Sequence, residues 1–295
     1  MSTTGSRTST PASELGPEQV AAAMSLARSG RVYDLDCVRF PGMPLFPGHP
    51  PFQVMSYRSP RGLENQGDQE WMGENTVRFA WNSEMVMGTV HSGTHIDALS
   101  HITCGDEHSW FGGGNTEQHL GDFGPLKDDA TDIPPIITRG VLLDVAGHRG
   151  VSALPAHDPI GAAELEAVCS AQGVDVRPGD VVLVRMGYLS GWPDPGFIAE
   201  HEQAGIDREA ALWLADQGVV AVAGDTESLE VLPSTVEGNP HPVHIALLVE
   251  RGIFILEMVN CEELARDQVY EFCFMCLPVS IRGATGSMVR PVAVV

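Results

Sequence analysis

The sequence predicts an α/β fold in a single domain. Three observations predict it. Short apolar runs bounded by turn residues alternate with helical segments over the C-terminal two thirds. A chain of 295 residues that is 43% hydrophobic can bury a full core. There is no internal repeat and no evident linker between two cores. Residues 16–295 are therefore read as one domain, after a Ser/Thr-rich, disordered tail over 1–15.

Taken in order, residues 18–28 read as a helix with Pro17 in its first turn and Gly30 closing it. Residues 32–40 read as a strand. Residues 41–52 hold five prolines and two glycines and form an irregular loop containing Phe46-Pro47-Gly48-His49-Pro50. Residues 56–75 are polar and contain several glycines, so a long loop or lid is expected. Residues 76–80 and 84–90 alternate enough for strands, and the second leads into a histidine-rich stretch. Residues 102–124, with Trp110, Phe111 and three successive glycines, suit a loop that closes over a ligand. The alternation then becomes regular. A strand at 141–145 precedes a helix at 161–172 with Leu165 and Val168 inward. Pro178-Gly179-Asp180 turns into a strand at 181–186. Asp207 caps a helix that Gly218 ends. Strand 219–223 stops at Gly224-Asp225-Thr226, and helix 244–250, strand 253–258 and an apolar run at 272–281 follow.

The stretch from His91 to His101 carries three histidines and one aspartate within eleven positions. In an extended chain side chains alternate, so His91, His95 and Asp97 share a face, and Gly93 leaves that face open. A helix would turn Asp97 about 160° away from His95. Gly93 and Thr94 are also poor helix formers. Two imidazoles and a carboxylate at a strand end suit zinc, manganese or iron(II), and leave coordination positions for water and substrate. A lone histidine would be an ordinary packed or surface residue; four metal-capable groups at this spacing point to a metal site. Later, Pro242-Val243-His244 opens a helix and Glu257 follows thirteen residues on, in the next strand. A helix running back and a returning strand can set the two together. His241 rivals His244. Glu250 is the alternative to Glu257, on an amphipathic, solvated face.

Composition narrows the function. A net charge of −22 repels nucleic acid and anionic membrane surfaces. Six cysteines are too sparse for a disulfide scaffold. Cys273 and Cys276 have the C-x-x-C spacing, but an odd separation in an apolar strand sends them to opposite faces, which assigns packing. No run approaches the ~20 apolar residues of a membrane span. The N-terminus lacks the apolar core of a signal peptide, so a cytoplasmic location is expected. No Gly-x-Ser-x-Gly elbow, phosphate loop or dinucleotide fingerprint is present.

The histidine stretch resembles the His-x-Gly-Thr-His-x-Asp-x-x-x-His signature of the cyclase family of metal-dependent hydrolases, which includes bacterial kynurenine formamidase and isatin hydrolase. Every fixed position is present; Leu99 stands where many relatives have proline. The later segment is also similar. Val243-His244-Ile245-Ala246-Leu247-Leu248, Gly252-Ile253 and Leu256-Glu257 follow the formamidase pattern, with one more residue between His and Glu. The resemblance runs from about Val32 to Pro291, includes Gly283-Ala284-Thr285-Gly286-Ser287, and points to the larger branch of the family. It implies a swivelling β/β/α, cyclase-like domain whose mixed sheet or β-barrel-like core is flanked by helices, assembled as a homodimer or homotetramer. It implies His91, His95 and Asp97 as ligands of Zn²⁺ or Mn²⁺, and His244 and Glu257 as ligands of a second ion bridged by Asp97. It implies His101 as general acid/base. The family often has an aromatic-Pro-Gly-Asp turn near the substrate; His49 replaces the acid here.

The expected reaction is attack of metal-activated water on an amide, lactam or lactone carbonyl of a small substrate. His101 would protonate the leaving nitrogen or oxygen. Phe46, Trp71, Trp81 and Trp110 are candidates to line an aromatic pocket, with His49 at its mouth. Two alternatives stand beside this. One is a metal-dependent cyclase or lyase of secondary metabolism acting through an enolate. The other is a metal-dependent binding protein without catalysis.

Overall fold

The apolar runs of the C-terminal two thirds become the centre of a large mixed sheet. The computed structural model describes residues 9–67, 70–194 and 202–295. Its principal strands are β1 (Val32–Asp34), β2 (Gln53–Arg58), β3 (Ser83–Met87), β4 (His95–Asp97), β5 (Ile136–Asp144), β6 (Val181–Arg185), β7 (Ala221–Gly224), β8 (Phe254–Glu257), β9 (Glu271–Cys276), β10 (Gly286–Met288) and β11 (Val292–Val294). Nine of these form one sheet in the order β1-β11-β9-β5-β6-β7-β8-β4-β10. The centre, β5 to β8, is parallel; β9 and β4 pair antiparallel on its two sides. The sheet curls into a half-barrel flanked by helices, the α/β cyclase-like architecture expected.

Parallel strands need crossovers, and helices supply them. The principal helices are α1 (Pro17–Met24), α2 (Pro60–Gln66), α3 (Ala162–Gln172) and α4 (Arg208–Asp216). α3 joins β5 to β6 and buries Leu165 and Val168; α4 joins β6 to β7 and buries Ala210, Ala211 and Leu214. The Asp207 side chain caps α4 by accepting from the Ala210 amide at 2.8 Å. Strands covered on both faces carry unbroken apolar runs, which is why every residue of β6 is buried. The polar chemistry is therefore forced to the strand ends. Asp225, just beyond β7, is fully buried, and its two carboxylate oxygens accept from the Met186 and Gly187 amides at 2.8 and 2.7 Å. This ties the ends of β6 and β7 together beside the site.

Several expectations are corrected. β1 spans three residues because its partner β11 does too. Residues 76–80 form a turn and irregular chain instead of a strand. The strand expected at 84–90 is β3, which pairs with β2 in a separate arm and does not lead into the sheet. The expected loop at 56–75 contains the end of β2 and helix α2, capped by the Ser59 side chain. The run at 272–281 stops as a strand at Cys276, because Pro278 follows and Leu277 and Val279 face solvent. Cys273 and Cys276 are buried and unpaired. Of the expected disordered tail, residues 1–8 lie outside the described residues. Pro11–Glu14 forms a 3-10 turn, and Ala12 packs into the core. Among the described residues no helix is long and apolar enough to cross a membrane.

Replacing Asp225 with Asn would turn an amide N–H against one of the two backbone donors. Asp225→Asn is expected to lose about 1–3 kcal/mol, the cost of one unsatisfied buried group, read as a lower urea midpoint with an unchanged slope.

Candidate metal centre

The centre is built on one antiparallel pairing. β4 lies beside β8 with His95 opposite Glu257 and Ile96 opposite Leu256. Directly opposed residues share a face, and so do residues two apart in one strand. His95, Asp97 and Glu257 therefore converge, while Ile96 turns fully into the core. His95 Nε2 lies 3.2 Å from Glu257 Oε2 and 3.6 Å from Asp97 Oδ1. The chain then supplies His244 from the turn Pro242–His244, which opens the π-helical segment Ile245–Arg251 leading into β8. His244 Nε2 is 3.2 Å from Glu257 Oε1 and 3.9 Å from Asp97 Oδ2. The later pair is thus brought to the first group. His241 lies outside this set, and Glu250 is exposed, paired with Arg208 at 2.9 Å.

His91 arrives differently from the expected extended run. Residues 91–94 bend, with Gly93 at φ +57°, and only His95–Asp97 is strand. Arg39 clamps the bend: its guanidinium donates to the Ser92 carbonyl at 2.8 Å, to the Val289 carbonyl at 3.2 Å, and to the Thr94 carbonyl. The Thr94 hydroxyl donates to the Met258 carbonyl at 2.6 Å, just beyond Glu257. So placed, His91 donates from Nδ1 to Asp97 Oδ1 at 2.8 Å, and its Nε2 meets the Thr285 hydroxyl at 2.9 Å. His101 stacks on His91 with ring centroids 3.9 Å apart. His91, Asp97 and His101 form a second group of candidate ligands that shares Asp97 with His244 and Glu257.

Electrostatics explain what this arrangement asks for. Burial alone would raise the Asp97 carboxyl, but His101, His91 and His95 outweigh it and hold Asp97 below the usual carboxylate range. Burial likewise raises Glu257, and the His244 and His95 imidazoles beside it, each 3.2 Å away, bring it down. His95 and His244 feel the reverse: burial disfavours their charge, and the acids beside them raise both. Burial pushes His101 down to about 3 despite the pull of Asp97, so its imidazole is neutral at neutral pH. Among the described residues, the ion-pair partners of Asp97 and Glu257 are all histidines. His95 Nε2, Asp97 Oδ2 and Glu257 Oε1 are buried without a hydrogen-bond partner. Such orphaned groups are costly, and a divalent cation among imidazole and carboxylate donors satisfies them together. The residues fit a metal.

A small cavity of about 20 Å³ opens over this cluster, lined by the apolar Pro44, Leu45, Phe46 and Met258 together with His49, His91, His95, His101, Glu227 and Glu257. Phe46 and His49 both line this cavity. The His49 ring lies 5.1 Å from that of His91. Trp81 and Trp110 are not part of this wall. Trp81 packs on Trp71 and Phe79 in the chain between α2 and β3. Trp110 is buried and donates from Nε1 to Asp128 Oδ2 at 3.0 Å. The expected closing loop is folded down into short β-pairs around Trp110.

Three nearby residues escaped sequence reasoning. Thr285 meets His91, as above. Glu227 lines the cavity and accepts from the Tyr188 hydroxyl. Glu230 is fully buried and accepts from the Nδ1 atoms of both His241, at 3.1 Å, and His244. Burial raises the Glu230 carboxyl, but these two hydrogen bonds outweigh it and bring it to about 2. Lone glutamates are common, and only their place just after Asp225-Thr226, beyond a strand end, could have flagged them.

Residues 33–231 match the family described as "Putative cyclase". The chain is 26% identical over 213 residues to cyclase-like protein 3 of Oryza sativa subsp. japonica, covering 71% of this chain and 64% of that protein. It thus spans just under two thirds of that relative's length. The fold superposes on the crystal structure of a novel cyclase with a TM-score of 0.83, at 27% identity, over 98% of this chain and 94% of that one. An isatin hydrolase bound to the product analogue thioisatinate gives 0.67 at 18% identity, over 95% and 99% of the two chains. Isatin hydrolase A from Labrenzia aggregata, bound to benzyl benzoate, gives 0.62 at 18% identity, over 94% and 97%. At that identity the last two share the fold.

A Cβ on Gly93 would lie 2.8 Å from Arg39 Cγ, at a backbone angle that L-residues avoid. Gly93→Ala is expected to cost at least about 1–2 kcal/mol for the left-handed conformation and to loosen the bend that carries His91. Thermal unfolding of the metal-stripped protein checks the first, and its metal affinity the second.

Proposed function

Because the chain belongs to the cyclase family, we propose that it is a metal-dependent hydrolase cleaving the C–N or C–O bond of a small amide, lactam or lactone, with zinc or manganese as its ion. The observation that carries this reading is the set of unpartnered buried atoms on His95, Asp97 and Glu257, facing His244 beneath an open cavity. A bound divalent ion supplies Lewis acidity and brings the pKa of a coordinated water toward ~7. His95, Asp97, His244 and Glu257 are the residues that would hold it, with His91 beside Asp97.

The rest of the chemistry belongs to the chain. His101 is held neutral by burial. It takes a proton from the attacking water and returns it to the leaving nitrogen or oxygen. Pro44, Leu45, Phe46 and Met258 present an apolar wall that seats the hydrocarbon part of a substrate and excludes water behind it. That wall suits an aryl formamide or a fused cyclic amide, and two fold relatives are isatin hydrolases. The six unpaired cysteines suit a reducing compartment, which supports a cytoplasmic location.

We also propose a homodimer or homotetramer. Among the described residues the β2–β3 arm pairs only with itself, and it exposes Val54, Tyr57, Val86 and Met87. An isolated two-stranded hairpin is marginal in water, and such apolar surface marks an interface. Light scattering on the purified protein should return a multiple of the 31.6 kDa chain mass; a monomer at micromolar concentration would refute this.

A screen of aryl formamides, isatin and small lactones with Zn²⁺ or Mn²⁺ tests the activity. Elemental analysis should find one of these ions in the wild type and little in Asp97→Ala. His101→Ala should keep its metal and lose roughly 10²–10⁴-fold in turnover, the usual range for a general acid/base. Metal loss in His101→Ala would instead make it a ligand, and full activity would remove it from the reaction.

A further inference from the structure

Glu230 is a buried carboxylate near the centre that does not itself face the cluster. Its side chain is fully buried. Its backbone is held by a bridge to Ile206, and Gly205 lies so close that a Cβ there would fall 2.0 Å from the Glu230 carbonyl carbon. The position is thus set by backbone packing, independently of the histidines. From it, Oε2 accepts from the Val243 amide at 3.0 Å, and Oε1 accepts from His241 Nδ1 at 3.1 Å and from His244 Nδ1.

A carboxylate has no proton to give, so His244 must donate from Nδ1. Nε2 is then the ring atom that faces Glu257 Oε1 and Asp97 Oδ2, 3.2 and 3.9 Å away, and the one whose proton a bound cation would displace. We infer that Glu230 is a positioning residue: it sets the tautomer and ring orientation of His244 so that Nε2 is presented to a divalent cation held with Asp97 and Glu257. This rests on the metal-dependent reading above. A carboxylate behind a ligating imidazole fixes its orientation and raises its basicity, and losing such a partner typically costs 10–100-fold in metal affinity. His241 shares the same oxygen but is partly exposed and packs edge-on against Phe46, with centroids 5.6 Å apart. It is a second donor to Glu230, and it lies outside the ligand set around Asp97 and Glu257.

The test is calorimetric titration of the metal-stripped full chain with Zn²⁺ alone. Glu230→Gln should weaken binding by roughly 10–100-fold while its circular dichroism stays that of the wild type. His241→Ala, which leaves the Glu230–His244 contact in place, should bind as the wild type does. A Glu230→Gln variant that melts earlier but binds zinc equally well would show that Glu230 only caps the turn at Pro242, and would overturn the inference. A wild type that binds no zinc or manganese would overturn the metal reading itself. Nitrogen NMR of the ¹⁵N-histidine-labelled, zinc-loaded wild type gives an answer that does not depend on the variant folding. His244 should show a protonated Nδ1 and a zinc-shifted Nε2; the opposite assignment would refute the role of Glu230.

Discussion

The register of β4 against β8 is the constraint on which the site depends. Opposing His95 to Glu257 places three polar groups on one face and Ile96 on the other. A slip by one residue would exchange those faces. It would drive His95 and Asp97 into the apolar core and lift Ile96 into the cavity. The fully buried Ile96 is therefore as much a part of the motif as its histidines. β10 reinforces the same register from the other side, pairing Gly286 with Asp97 and Met288 with His95. A Cβ on Gly286 would lie 2.8 Å from the His91 ring, so the strand that supports Asp97 also leaves room for His91.

Around this pairing the fold concentrates negative charge in a dry place. Asp97, Glu230 and Glu257 are all nearly or fully buried, and among the described residues histidines are their ion-pair partners. Carboxylates in such surroundings cost free energy unless cations or donors compensate them. His95 and His244 do so by drawing protons, since the acids beside them raise both imidazoles. A bound divalent ion would release those protons and leave the imidazoles as neutral ligands. The site is thus a region where local stability is given up for a chemical capability.

Its location follows from the α/β plan. Glu227 and Glu230 lie just beyond β7, Glu257 ends β8, and Met186 follows β6. All stand at the carboxyl ends of the parallel strands, where open α/β sheets leave crevices. The interiors of β6, β7 and β8 are apolar and leave no room for polar chemistry. The antiparallel β4 is laid against that edge and completes the centre from the N-terminal half of the chain. Arg39 and Thr94 then hold the bend to the end of β8 through backbone carbonyls.

The sequence by itself determined the alternating core and the ligand chemistry. Apolar runs at β5 to β8 and the helices between them are local patterns, set by side-chain period and capping residues such as Asp207. The spacing of His95 and Asp97 is local too, because a strand repeats every two residues. Tertiary structure alone decided the rest. The bend at Gly93 depends on Arg39, more than fifty positions earlier. The depth of Glu230 depends on Gly205, and the displacement of Trp81 and Trp110 from the cavity depends on partners in their own loops. His244 meets Asp97 only once β4 has paired with β8, across about 160 residues of chain. Period and propensity act over a few residues, whereas contacts between distant segments are chosen by the burial of the whole core, which no local pattern records.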